Sequence, residues 1–226
     1  MGNRNADDDS LKNSPTAMIN GIEDEERSVE ALVASFALDD EALRRVTGLL
    51  SAEMEKGLNA QSHSSADVKM FPTFVTAAPD GSEKGDFLAI DFGRSNFRIL
   101  WVHLPANDNG DKQHPRVRSR IFVVSPPLMS GPGTDLFDFI AKCLASFMEK
   151  EDLLGRKLPL CFTFAFTLRQ ESLNRGRLVN WTKGFSCDGV VGEDVVALFH
   201  DALARVGVTH PGLQGVRCTA VINGEN

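Results

Sequence analysis

Phe87-Leu-Ala-Ile-Asp-Phe-Gly-Arg-Ser-Asn-Phe-Arg-Ile-Leu-Trp-Val-His-Leu104 is the stretch on which the reading of this chain turns. Phe87, Leu88 and Ile90 precede a short polar segment, Asp91 to Asn96. Phe97, Ile99, Leu100 and Val102 come after it, with Arg98 as the one fixed charge inside the second apolar run. The pattern predicts two strands joined by a tight turn. A turn of small residues can aim several backbone N–H groups at one point, which suits an anion such as phosphate. Asp91 at the strand end is then placed to hold a hydrated metal ion, and Arg98 to face the same anion. A glycine in a hairpin is more often a turn glycine only, with Asp91 and Arg98 forming an exposed salt bridge. Both readings stand on this stretch alone.

Working outward, 226 residues with 42% hydrophobic content are enough to bury a sizeable core. A formal charge of −7 argues against nonspecific binding to nucleic acid or to an anionic membrane. Cys143, Cys161, Cys187 and Cys218 are far apart and make no metal spacing. They read as separate reduced thiols, which suits a cytosolic or nuclear context, and a cytoplasmic protein is expected. No apolar run is long enough to span a bilayer, and no signal-peptide core comes after Met1.

Residues 1–27 are rich in Asn, Asp, Ser and Glu and read as a disordered lead-in. From Ser28 the pattern is helical, first with Val29, Leu32, Val33 and Phe36 on one face. Asp39 or Asp40 then caps a helix carrying Leu43, Val46, Leu50 and Met54, which Gly57 stops. After the central hairpin, Val117 to Ser125 reads as a third strand, and Pro126 to Gly133 as a break. Thr134 is expected to cap a helix with Leu136, Phe137, Ile140, Leu144, Phe147 and Met148 inward. Leu158 to Phe166 and the shorter Gly176 to Trp181 read as strands. A helix with Glu193 and Asp194 in its first turn ends at Gly207, and Val216 to Ile222 is the last strand. Three meandering strands and then α/β crossovers imply a mixed sheet with helices on its faces. The expected class is α/β, with N-terminal helices ahead of the sheet. The order is similar to the ribonuclease-H-like, actin-type ATPase domain, which would close with one more helix, so the chain reads as C-terminally truncated.

Five blocks carry a more specific resemblance, to the eukaryotic hexokinase family. Val68-Lys-Met-Phe-Pro-Thr-Phe-Val75 resembles that family's V-K-M-L-P-T-F-V. Asp80 to Arg98 leads into its phosphate motif D-L-G-G-[TS]-N-F-R. Leu158-Pro-Leu-Cys-Phe-Thr-Phe-Ala-Phe166 resembles L-P-L-G-F-T-F-S-F. Trp181-Thr-Lys-Gly-Phe185 matches W-T-K-G-F, and Gly192-Glu-Asp-Val-Val196 matches G-x-D-V-V. Residues 28–226 are thereby read as the N-terminal, smaller domain of a hexokinase.

The resemblance implies an ATP-dependent hexose kinase of glycolysis, moving the terminal phosphoryl of Mg-ATP to the 6-hydroxyl of a glucose-like sugar. Asp91, Gly93, Ser95, Asn96 and Arg98 would bind ATP phosphate. Thr182, Lys183 and Asn223 would bind sugar. The catalytic aspartate position is occupied by Gly224, so no catalytic residue is assigned, and no resident metal ligand set is expected. Arg94 replaces a second glycine of the phosphate turn, and strain of roughly 1 kcal/mol would result if that position has positive φ. Ala165 and Thr167 replace a Ser and a Pro of the family. Gly224-Glu225-Asn226 is either a genuine replacement or translated intron, since Gly-Glu can be encoded by GGT-GAG, which resembles a splice donor. The chain alone is expected to lack activity, because the ATP cleft of this architecture lies between two domains. The alternative is a noncatalytic hexokinase-like sugar sensor or regulatory protein.

Overall fold

The computed structural model describes residues 29, 31–34, 36–94, 96–106 and 114–223. The expected lead-in at 1–27, Ser95 and the final Gly224-Glu225-Asn226 lie outside them. The chain divides into two compact units, Met1–Val68 and Lys69–Asn226.

The first unit contains α1, Asp40–Leu58. Of the two candidate caps, Asp39 is the one used: its Oδ1 accepts the Ala42 N–H at 2.7 Å. The helix runs one residue beyond Gly57, to a C-cap at Asn59. Its apolar stripe of Leu43, Val46, Leu50 and Met54 is exposed.

The second unit is built on a five-stranded sheet. Its strands are β1 (Gly85–Phe92), β2 (Asn96–Leu104), β3 (Arg116–Val123), β4 (Pro159–Phe164) and β7 (Arg217–Asn223), in the order β3-β2-β1-β4-β7. β1, β2 and β3 pair antiparallel, while β1, β4 and β7 pair parallel. The expected mixed sheet is therefore present. Two helices supply the crossovers, α3 (Gly133–Lys150) and α4 (Val195–Gly207). Leu136, Phe137, Ile140, Leu144, Phe147 and Met148 of α3 are buried, as their spacing requires, with Val195, Val196, Phe199, Leu203 and Val206 of α4. They pack in one core with Leu88, Ile90 and Phe92 of β1 and Phe97 and Ile99 of β2.

Three details differ from the sequence expectation. Thr134 does not cap α3. The helix begins a residue earlier, with Pro132 at the N-cap and no side-chain cap bond. The Gly133 N–H is instead satisfied by the Asp188 carbonyl at 2.9 Å, so a loop contact does the work of a cap. The supposed break after Ser125 contains a short helix, α2 (Pro126–Ser130), started by two prolines that need no N–H partner there. A further strand, β5 (Thr167–Ser172), pairs with β6 (Arg175–Asn180) as a separate hairpin. Its sequence, Thr-Leu-Arg-Gln-Glu-Ser, is too polar to announce a strand.

That hairpin protects an edge. Gln170, the one buried polar residue among those described, donates Nε2–H to the Val221 carbonyl at 2.5 Å, and Val221 donates its N–H to Leu173 at 2.8 Å. His200 Nε2 accepts the Cys218 N–H at 3.0 Å. The Cys218 N–H and both backbone groups of Val221 on the outer side of β7 thus have partners, as buried backbone groups demand.

At the start of β1, Asp86 ties two strands and a loop together. It accepts from Trp101 Nε1 at 3.1 Å, lies 2.9 Å from His103 Nδ1, and pairs with Arg156. Burial pushes its carboxyl up. The bonds and charges of His103 and Arg156 outweigh burial and hold it below the ordinary carboxylate value.

Candidate functional site

The parallel registers bring three strand ends to one level. Phe92 of β1 is the partner of Phe164 in β4, which is the partner of Asn223 in β7. The described residues that the sequence proposed for chemistry lie at or just past these ends, or on a segment bonded there. In open α/β sheets this carboxyl edge is where ligands sit, because the loops leaving neighbouring strands diverge and leave a crevice.

The turn after β1 is closed by the Gly93 N–H donating to the Asn96 carbonyl at 3.3 Å. Arg94 is exposed and is not among the positive-φ residues, so the strain expected of an arginine in place of glycine does not arise. Asp91 and Arg98 stand directly opposite each other across the ladder, and both are exposed. They form no ion pair among the described residues. The salt-bridge reading of the hairpin is therefore not realised. A carboxylate and a guanidinium, both exposed and without an ion-pair partner among the described residues, thus stand opposite each other beside the strand ends. The pair suits the two halves of a metal–phosphate ligand, the carboxylate toward a hydrated cation and the guanidinium toward phosphate oxygens.

The turn that carries Thr182 and Lys183 is held by the Phe185 N–H donating to the Thr182 carbonyl at 3.0 Å. Lys183 has φ +57° and Gly184 φ +86°, the φ pattern of a type I′ turn. Glycine adopts such a φ freely; lysine does so at a cost of roughly 1 kcal/mol. Lys183 Nζ donates to the Ala165 carbonyl at 2.7 Å and lies 5.6 Å from the centre of the Phe166 ring. Ala165 in turn donates its N–H to the Phe92 carbonyl at 3.1 Å. The peptide after β4 is thus clamped between the end of β1 and the lysine of the 182–185 turn. Lys183 was expected to touch sugar; in this structure its ammonium is bonded to backbone.

Beneath these turns the rings form one cluster. Phe92 packs against Phe164 at 5.7 Å, Phe166 at 6.0 Å and Phe185 at 5.7 Å between centroids. Trp181 stands edge-on to Phe166 at 4.7 Å and stacks on Phe185 at 5.5 Å. Phe162, Phe164 and Phe166 are fully buried, so they serve packing and are not available as a stacking platform for sugar. The cluster packs the ends of β1 and β4 against the 182–185 turn, an aspect that pairwise motif reading does not reveal.

Sequence reasoning also missed the support behind the 182–185 turn. Ser186 donates its N–H to the Met129 carbonyl at 2.8 Å, and Cys187 Sγ lies 3.2 Å from the Leu128 carbonyl. Trp181 Nε1 donates to the Cys187 carbonyl at 2.9 Å. Helix α2 is therefore part of the site's frame, and its Pro126-Pro127 start was the signal available in the sequence. Burial pushes the Cys187 thiol up to about 11, so it is a packed thiol and not a nucleophile. Asn223 is placed by its backbone alone, and Ser95 and Gly224 lie outside the described residues.

With this geometry in hand, comparison with known proteins is specific. The profile of the family described as Hexokinase matches residues 28–224. The chain belongs to the hexokinase family. It is 47% identical to human Hexokinase-2 over 184 residues, which is 81% of this chain and 20% of that protein. Against human Hexokinase-1 it is 41% identical over 190 residues, 84% of this chain and 20% of that one. Among solved structures, the hexokinase from Schistosoma mansoni complexed with glucose superposes with a TM-score of 0.71 at 36% identity. That match covers 87% of this chain and 42% of the schistosome chain. This hexokinase-family chain thus spans about a fifth of the length of the relatives it matches in sequence. Its sheet has the α/β, actin-like ATPase architecture expected from the element order.

Proposed function

We propose that this chain supplies the phosphate- and sugar-facing wall of an ATP:hexose 6-phosphotransferase acting on a glucose-like sugar in the cytoplasm, at the entry to glycolysis. The observation that carries the reading is the common level of Phe92, Phe164 and Asn223, with the unengaged Asp91–Arg98 pair beside it. Support also comes from the schistosome relative, whose structure is complexed with glucose.

Phosphoryl transfer is mostly positioning and electrostatics, so the chain's part is to orient and to balance charge. Asp91 would hold hydrated Mg²⁺, and Arg98, with Gly93, Ser95 and Asn96 of the turn, would take the phosphate oxygens of ATP. When bound, Mg²⁺ neutralises charge on the transferred group. Thr182 and Asn223 would hold sugar hydroxyls, and Lys183 would place positive charge near the transferred group while fixing the loop after β4. Gly224 offers no carboxylate to take the sugar hydroxyl proton. The absence of that base costs on the order of 10²- to 10⁴-fold in rate.

The chain alone is therefore expected to show no measurable hexokinase turnover in a coupled assay; glucose-dependent turnover near that of a complete enzyme refutes this. Isothermal titration should show weak glucose binding that Thr182→Ala with Lys183→Ala removes, and no heat at 50 mM glucose overturns the sugar assignment. Gly224 favours a second reading, a noncatalytic sugar sensor. The two separate on nucleotide: the kinase reading requires Mg-ATP binding that Asp91→Asn weakens, whereas the sensor reading requires glucose binding without it.

A further inference from the structure

β3 is the edge strand on the side of the sheet away from β7, and among the described residues nothing pairs with its outer side. The Gly93–Asn96 bond fixes which backbone groups point outward. Hydrogen-bonded pairs alternate along an antiparallel ladder. From Gly93–Asn96 the alternation makes Asp91–Arg98 a bonded pair, so Phe97, Ile99, Trp101 and His103 turn their backbone groups away from β1 and toward β3. Their partners there are Phe122, Arg120, Arg118 and Arg116. Val117, Ser119, Ile121 and Val123 consequently turn their N–H and C=O groups outward, where among the described residues they have no partner.

The side chains of this edge are sorted by face. Arg116, Arg118 and Arg120 lie on one face at a spacing of about 7 Å. All three are exposed, and none has a carboxylate partner among the described residues; Arg120 reaches only Ser146 Oγ at 3.3 Å and the Phe122 ring at 4.9 Å. Val117, Ile121 and Val123 lie on the other face, 54%, 58% and 72% exposed. Three unpaired cations in a row are unusual in a chain of net charge −7. Two copies of this edge paired antiparallel would set arginine row against arginine row, which is repulsive, so self-association is disfavoured.

We infer that the β3 edge is a docking site for an extended segment of a partner protein, in which acidic residues alternate with apolar ones. The segment adds as a sixth strand. Its backbone bonds to Val117, Ser119, Ile121 and Val123, its carboxylates lie beside Arg116, Arg118 and Arg120, and its apolar residues cover the valine and isoleucine side chains. The inference is independent of the sugar site, which lies at the strand ends.

The test uses the full chain and a fluorescein-labelled probe, Glu-Val-Glu-Val-Glu-Val-Glu, read by fluorescence anisotropy. Saturable binding is expected, with Arg118→Glu weakening it about tenfold and Ser119→Pro, which removes one outward N–H, about fivefold. Ser119→Ala should bind as the parent does. Because Ser119→Pro can compromise folding, methylated probes give the same answer on unaltered protein. In antiparallel addition the valine N–H groups of the probe face β3 and the glutamate N–H groups face away. N-methylation of the valines should abolish binding, and N-methylation of the glutamates should leave it intact; the reverse result supports parallel addition. Equal binding of both methylated probes, or of a probe with its glutamates clustered at one end, overturns strand addition. Absence of saturable binding at 1 mM chain overturns the docking site itself.

Discussion

Lys183 combines a strained backbone with a bond that holds two parts of the site together, and its replacement separates the two effects. Its ammonium donates to the Ala165 carbonyl at 2.7 Å and lies 5.6 Å from the Phe166 ring centre, while its φ is +57°. A bond from a charged donor contributes about 1.5–3 kcal/mol, and the half-buried position argues for the lower end. A cation–π contact near its outer limit adds about 0.5 kcal/mol. Lys183→Ala should therefore cost about 2 kcal/mol. Lys183→Gly loses the same contacts but relieves the left-handed strain, so it should be roughly 1 kcal/mol more stable than the alanine variant. Urea unfolding monitored by tryptophan fluorescence reads this directly, because Trp101 and Trp181 both lie in the second unit. With a slope of about 2 kcal/mol/M, the midpoint falls by about 1 M for alanine and about 0.5 M for glycine. An alanine variant within about 0.3 M of the parent, or a glycine variant less stable than it, refutes the clamp.

Gly133→Ala should destabilise by at least about 2 kcal/mol, since its Cβ would fall 2.2 Å from Val190 Cγ2 and 2.8 Å from the Asp188 carbonyl; thermal melting checks it. The Asp86 carboxyl is held below its ordinary value, so its contribution to stability is complete above that value and is lost as pH falls through the folded one. Asp86→Asn should thus be less stable at neutral pH and show a shallower decline in denaturant midpoint between roughly pH 5 and 2; an unchanged acid limb contradicts this. Burial pushes Cys143 and Cys187 up to about 11 and Cys218 up to about 12, and raises Cys161. At pH 8 about one in a thousand or fewer of the first three are thiolate. Disulfide-exchange reagents should therefore label all four slowly in the native chain and rapidly in urea.

The sequence by itself determined the alternation of strand and helix, the buried faces of α3 and α4, and the family, because these rest on periodicity and on contiguous motifs. A cap at Asp39 or Asp40, and Phe162, Phe164 and Phe166 as packing residues, were readable for the same reason: their partners are near neighbours or a single core; the structure chose Asp39. Only the tertiary structure decided what depends on distant partners. Thr134 yielded its capping role to the Asp188 carbonyl, 55 positions from Gly133 along the chain. The polar strand β5 exists because Gln170 and Leu173 satisfy Val221 of β7. The strain expected at Arg94 is absent, and a left-handed φ falls on Lys183 instead. The β1–β2 hairpin shows the division most clearly. Its residues announced an anion site, but whether Asp91 and Arg98 would neutralise each other or stand open to a ligand is a matter of side-chain geometry across two strands, which no spacing in the sequence encodes.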